Sequence, residues 1–391
     1  MSRSKWIALV ALAVLAATLL AACGSSSSST SGSTEASKSG EESEKEGSSS
    51  TDLASFEKIV EKYEEPITEW PAEMPSTPVK KIEPNKLIVS ISLSPEEAGG
   101  LAIAEGVEEA AKAIGWKSKI IYGYGQASKT NAAFEQAIAL GADIVTSQGI
   151  NPETFKGAIK KLHEAGGIYI SCCSDVPPSA DLAQAEPNDH SALSGEIAAA
   201  KAVVESGGEG KFALFNFPEY VVLQNRLGAA KETFEKCSGC EIVEEIDTNP
   251  AEAEKTMPSA TSTLLQKNPD LTGLVTGIDN MVTNFQLPIL RQQGSEAAVY
   301  TFLGGGPTLE AVEKGEVSAV VVEPLVWEGW QIVDMAARLL AGEKVTGEGL
   351  PQHLITQENV QEEMKTAAPN GFYDANGFDY RAKYKELWGK G

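Results

Sequence analysis

The chain has 391 residues, with 55 acidic against 32 basic side chains and a formal net charge of −23 at pH 7. That balance excludes a nucleic-acid partner, because phosphate recognition needs Lys and Arg gathered on one face. Five cysteines include a single CxxC with no second one to complete a metal site, and the three histidines are not paired at metal spacing, so neither a metal centre nor a cofactor is expected.

In chain order, "MSRSK" carries Arg3 and Lys5 and leads into the apolar run "WIALVALAVLAATLLAA". A basic head, an apolar stretch and small residues at its end describe an export signal over residues 1–22. The run is also barely long enough for an N-terminal membrane anchor, and either reading places the remainder outside the cytoplasm. The sequence "LAAC" at 20–23 resembles the lipobox of bacterial lipoproteins. That resemblance implies that Cys23 is acylated, becomes the new N-terminus and holds the protein on the cell membrane, facing the extracellular or periplasmic side. Residues 23–51 are rich in Ser and Glu. They hold too little apolar surface to offset ordering entropy, so a disordered tether is expected there.

Residues 52–85 read as a docking helix and a strap. "DLASFEKIVEKYEE" puts Leu53, Phe56, Ile59, Val60 and Tyr63 at helical spacing, and five prolines from Pro66 to Pro84 then forbid regular structure. From Lys86 onward, apolar runs such as "LIVSISL", "KIIYGYG", "DIVTSQG" and "IYISCC" alternate with amphipathic stretches. A second round follows, with "KFALFNF", "EIVEEI", "LTGLVTG", "AVYTFL" and "SAVVVEP". Continuous apolar strands flanked by helices mean parallel sheet covered on both faces, and two rounds mean two α/β lobes. The expected first lobe is 86–186 with 324–349. The second is 187–323 with 350–391, including an aromatic-rich tail.

Cys237 and Cys240 form "CSGC", which in an exported chain points to a short structural disulfide. Cys172 and Cys173 are adjacent at the end of "IYISCC" and form either a strained ring or two buried thiols. In open parallel sheets, ligands bind beyond the carboxyl ends of the strands. The loops there are 92–96, 123–126, 147–151, 172–175, 216–220, 277–280 and 303–306. From them Gln126 and Gln148 are expected to reach a polar ligand, Tyr220 or Phe217 to supply an aromatic wall, and Asp279 to cap its own helix while facing the cleft. Trp327 is expected to stack on a sugar ring, with Trp330 in the core. "GGGP" at 304–307 reads as a turn that opens a helix and could hold an anion. No HExxH or GxSxG motif occurs, so a binding protein rather than an enzyme is expected.

Over residues 86–358 the chain resembles the periplasmic sugar-binding proteins of the ribose-binding type, the extracellular receptors of ABC importers. The carriers are "SKTNAAFEQAIALGADIVTSQGINPETFKGAIKKLHEAGGIYI", "NDHSALSGEIAAAKAVV", "RLGAAKETF", "LLQKNPDLTGLVTGIDNM" and "LEAVEKGEVSAVVVEP", in that order. The resemblance implies a type I periplasmic-binding-protein fold, with two doubly wound parallel-sheet lobes joined by a hinge. It places the family's second-lobe arginine on Arg226, its aspartate on Asp279 and its crossover glutamine on Glu323. The paired aromatics fall at Gly99 and Gly100, an Asp-Arg pair near Ser174 and Asp175, and a further aspartate at Leu303. The frame is therefore kept while the ligand chemistry differs. The expected function is a monomeric, lipid-anchored receptor that captures a small polar solute, a sugar or polyol, and hands it to an ABC permease. The alternatives are a sensory protein signalling to a kinase or chemoreceptor and, less favoured, an extracytoplasmic enzyme.

Overall fold

The computed structural model describes residues 53–95, 97–187, 190–345, 349–375 and 377–391. The export signal, the tether and Cys23 lie outside the described residues.

The helix expected before the strap forms as α1 (Leu53–Glu64) and buries Phe56 and Val60. The first lobe then runs β1 (Leu87–Ser92), α2 (Ala98–Ile114), β2 (Lys117–Tyr122), α3 (Ala127–Ala139), β3 (Ile144–Gln148), α4 (Lys156–Glu164) and β4 (Ile168–Cys172). Its strands are all parallel, in the order β2-β1-β3-β4. β3 is buried at every position and β1 at all but its first, which is why both read as unbroken apolar or small-residue runs.

The second lobe runs α5 (Ser191–Glu205), β5 (Glu209–Asn216), α6 (Val221–Glu235), β6 (Gly239–Asp247), α7 (Ala253–Lys267) and β7 (Gly273–Thr276). The short α8 (Asp279–Met281) continues through a π turn at Val282–Gln286 into α9 (Leu287–Gln293), followed by β8 (Ala298–Phe302), α10 (Gly306–Glu313) and β9 (Ala319–Val322). The chain then returns to the first lobe as α11 (Leu325–Leu340), and comes back to add β10 (His353–Thr356) and α12 (Val360–Met364). It ends in α13 (Tyr380–Leu387). The second sheet has the order β10-β9-β8-β7-β5-β6, with β10 alone antiparallel. These are the two parallel α/β lobes that the alternation implies.

α11 belongs to the first lobe because it lies against α2 with almost no space between the backbones. A Cβ at Gly106 would stand 2.3 Å from Val326 O, and one at Gly329 would stand 2.4 Å from Ile103 O. Only glycine permits that approach.

The segments outside the two lobes tie them together. α1 sits on the second lobe, where Glu64 pairs with Lys201 at 2.9 Å and Tyr63 O accepts from His353 Nδ1 at 2.9 Å. The strap then crosses to the first lobe. There Thr77 O accepts from Arg338 Nη2, and Val79 N donates to Leu387 O in α13. Strap, α11 and tail share one aromatic layer. Trp70 stacks on Trp327 at 5.6 Å, Trp327 on Tyr380 at 4.7 Å, and Trp330 on Trp388 at 5.4 Å. Of the segment grouped by sequence with the second lobe, β10 does join the second sheet. α13 instead packs on the first lobe, with Arg381 paired to Glu109 at 2.7 Å. Cys237 and Cys240 form a disulfide with their Cα atoms 5.3 Å apart.

Candidate functional site

In each sheet the strand order reverses beside the first strand of the lobe, between β1 and β3 and between β5 and β7. Loops leaving such a point on opposite sides open a crevice. Here they line a cavity of about 150 Å³ between the lobes. The first lobe supplies Gln148 at the end of β3 and the start of α2. The second supplies Tyr220 and Arg226 around the start of α6 and Asn280 in α8. The crossing into α11 supplies Glu323 and Glu328.

Most of the wall is aliphatic, including Leu93, Ile103, Leu223, Ile278, Met281 and Leu303. Leu303, where the resemblance implies an aspartate, holds a φ of +82°, a conformation that L side chains rarely adopt. Gly99 and Gly100 stand where paired aromatics are implied. They leave room for Glu97, whose carboxylate accepts from both of their N–H groups at 3.2 and 2.8 Å. A Cβ at Gly100 would meet Glu97 Oε2 at 2.5 Å and Gln148 Cβ at 3.2 Å. The N-terminus of α2 is thus capped by the chain's own anion at the cavity edge. Burial raises the Glu97 carboxyl above its ordinary range, against the pull of those two N–H groups.

Arg226 is 2% exposed, with its Cζ 4.7 Å from the centre of the Phe302 ring. Its Nη2 donates to Glu323 Oε1 at 2.8 Å and its Nη1 to Gly277 O at 3.3 Å. Burial pushes Glu323 up to about 7, opposed by the Arg226 charge and assisted by Glu328. Among the described residues, the buried Gln148 Nε2 and Oε1, Arg226 Nε and Asn280 Oδ1 at the cavity find no hydrogen-bond partner. They come from both lobes.

Arg226, Glu323, Gln148 and Tyr220 are therefore brought together at the cavity. Three expectations need correction. Asp279 turns away, and its Oδ2 accepts from Gly305 N at 2.8 Å and Thr308 Oγ1 at 3.0 Å. It caps α10, so the "GGGP" turn is occupied by the chain's own Asp279 carboxyl. Trp327 is fully buried in the aromatic layer, with Nε1 donating to Tyr384 Oη at 3.3 Å, and does not line the cavity. Its ring finds apolar partners in the strap and tail, which removes it from any ligand. Gln126 is exposed at the N-cap of α3 and also lies outside the cavity wall.

A family model described as "Periplasmic binding protein domain" matches residues 94–344. The chain belongs to the periplasmic binding protein family. A curated relative, the "D-apiose import binding protein" of Paraburkholderia graminis, is 23% identical over 289 residues, covering 70% of this chain and 88% of the relative. Among solved structures, a glucose-galactose binding protein from Geobacillus stearothermophilus superposes with a TM-score of 0.64 at 17% identity, covering 71% of this chain and 99% of its own. A solute-binding protein from Actinobacillus succinogenes with bound D-allose gives the same TM-score, identity and coverage. At such identities the solved structures speak for the fold.

Among the residues that line the cavity of this periplasmic binding protein and that the sequence did not mark are Glu97, Glu328 and Met281. Glu97 stands one place beyond the loop singled out after β1, and its position just before "AGG" was the available sign of a cap. Glu328 and Met281 carried no sign of their own, since a helical Glu is mostly solvated and a Met mostly core.

Proposed function

We propose that the protein is an extracytoplasmic receptor that captures a small hydroxylated solute, of the sugar and polyol class, between its lobes. The observation that carries this reading is Gln148. Its amide is 1% exposed and neither end has a partner. A buried amide left unsatisfied costs about 1–3 kcal/mol, and a hydroxyl, which both donates and accepts, relieves both ends. Arg226 Nε offers a donor and Asn280 Oδ1 an acceptor from the facing lobe. The aliphatic wall suits the C–H face of such a molecule.

The import role in the relative's name and the D-allose bound in the neighbour support this class. On this reading the protein works as a monomer tethered through lipid at Cys23, and an ABC permease receives the solute from the loaded, closed form. A permease that prefers that form converts ligand binding into a signal for transport.

The test is a thermal-shift screen of the purified protein against D-apiose, D-allose, other pentoses and hexoses, and inositols. A bound solute raises the melting temperature by mass action. Gln148→Leu should sharply reduce the shift. A screen without a hit, or a hit that Gln148→Leu leaves unchanged, contradicts the proposal.

A further inference from the structure

β4 ends at Cys172, and an extended chain would send the next side chain to the opposite face of the sheet. Cys173 instead has a φ of +57°, a left-handed conformation that costs a non-glycine residue about 1–2 kcal/mol. The turn brings its sulfur back beside its neighbour. The two Sγ atoms lie 2.6 Å apart, and both reach Glu328 Oε1 on α11, at 3.0 and 3.6 Å. Cys173 and Glu328 both line the interlobe cavity. Backbone cost is thus spent on gathering two thiols at a ligand wall, in a chain whose other described cysteines are already joined as a disulfide.

We propose that Cys172 and Cys173 are a redox-closable pair: under oxidising conditions they join as a disulfide between neighbours, and that ring forms one wall of the solute cavity. Cys173 is half-buried and Cys172 fully buried, so Cys173 reacts first, through the cavity. Its thiolate attacks one sulfur of an external organic disulfide and expels the other half as a thiol. Cys172 then displaces the remaining half from the mixed disulfide. Two electrons and two protons leave the pair, and the external disulfide becomes two thiols. Closure removes two S–H donors from Glu328. A solute hydroxyl then takes the place of those S–H groups at Glu328 Oε1 on the cavity wall. The oxidised form should bind a hydroxylated solute up to about tenfold more tightly, the worth of one hydrogen bond.

The existence of the ring stands apart from the receptor reading, whereas its effect on affinity rests on it. The full-length protein is treated with hydroxyethyl disulfide, alkylated with iodoacetamide and mapped by peptide mass. The expected peptide holds both cysteines unalkylated and is two hydrogens lighter than the dithiol, and dithiothreitol restores both alkylation sites. Cys172→Ser should instead carry a hydroxyethylthio group on Cys173, as a mixed disulfide that dithiothreitol removes. Two alkylated cysteines after oxidation, or two separate adducts, overturn the ring. D-apiose and D-allose are then titrated into both redox forms. Tighter binding by the oxidised form supports the wall role, and equal affinities overturn it. If neither sugar binds either form, the receptor reading has failed, and the peptide map still decides the ring.

Discussion

Arg226 and Glu323 are at most 4% exposed and hold each other's charge inside the protein. Removing one partner of such a pair strands the other, at about 3–5 kcal/mol. Burial raises the Glu323 carboxyl to about 7, so the folded state keeps a proton that an unfolded glutamate has lost. The contribution of this group therefore falls as pH rises from the ordinary carboxylate range through 7. Arg226→Met leaves Glu323 without its cation, so the variant should lose more stability at pH 8 than at pH 5.5. Urea denaturation at the two pH values checks this, and equal losses would count against the pair. Gln148→Leu should behave in the opposite way, raising the melting temperature of the empty protein by relieving an unsatisfied amide. Differential scanning calorimetry reads that sign directly. At this scale strand ends marked Gln148 and Tyr220, the family resemblance placed Arg226 and Glu323, and all four line the cavity. Sequence reasoning misplaced Asp279 and Trp327 because a carboxylate or a ring can be satisfied from far along the chain, here by Gly305 and Tyr380.

The contact of α11 with α2 fixes the helix that leaves the hinge and carries Glu328 to the cavity. Gly106→Val forces branched atoms into the Val326 carbonyl and should cost about 1–3 kcal/mol or more of stability. Gly157 in α4 faces open space, so Gly157→Ala should be neutral or stabilise by about 0.5–1 kcal/mol. Chemical denaturation of the two variants separates crowding at the helix contact from a generic glycine effect. The apolar runs of β1, β3, β4, β7, β8 and β9 were legible because strands buried on both faces carry few polar residues, while β2 and β6 are largely uncovered edge strands. β10 was not legible: its four residues "HLIT" include His353 and join as an antiparallel edge. The aromatic layer left no periodic trace either, since Trp70, Trp327 and Tyr384 meet from three distant segments.

Across the molecule, burial raises the carboxyls of Glu97, Glu186, Asp279 and Asp334 as well as that of Glu323. Each lets the folded state hold protons that the unfolded chain releases, so stability should decline as pH rises above the ordinary carboxylate range. The net charge of −23 at pH 7 acts in the same direction through self-repulsion. The melting temperature at pH 5.5 should therefore exceed that at pH 8, and the reverse order would mean that these carboxyls ionise freely in the fold. The two-lobe frame was legible from alternating strands and helices, but the choice of solute was not, because it depends on a few side chains that converge across the cleft. Calorimetric titration of D-apiose, D-allose and myo-inositol into the wild-type protein and Gln148→Leu tests that convergence. Saturable one-to-one binding by at least one of them, weakened about tenfold or more in the variant, is the predicted result. No binding by the wild-type protein, or equal affinity in the two proteins, would contradict the account.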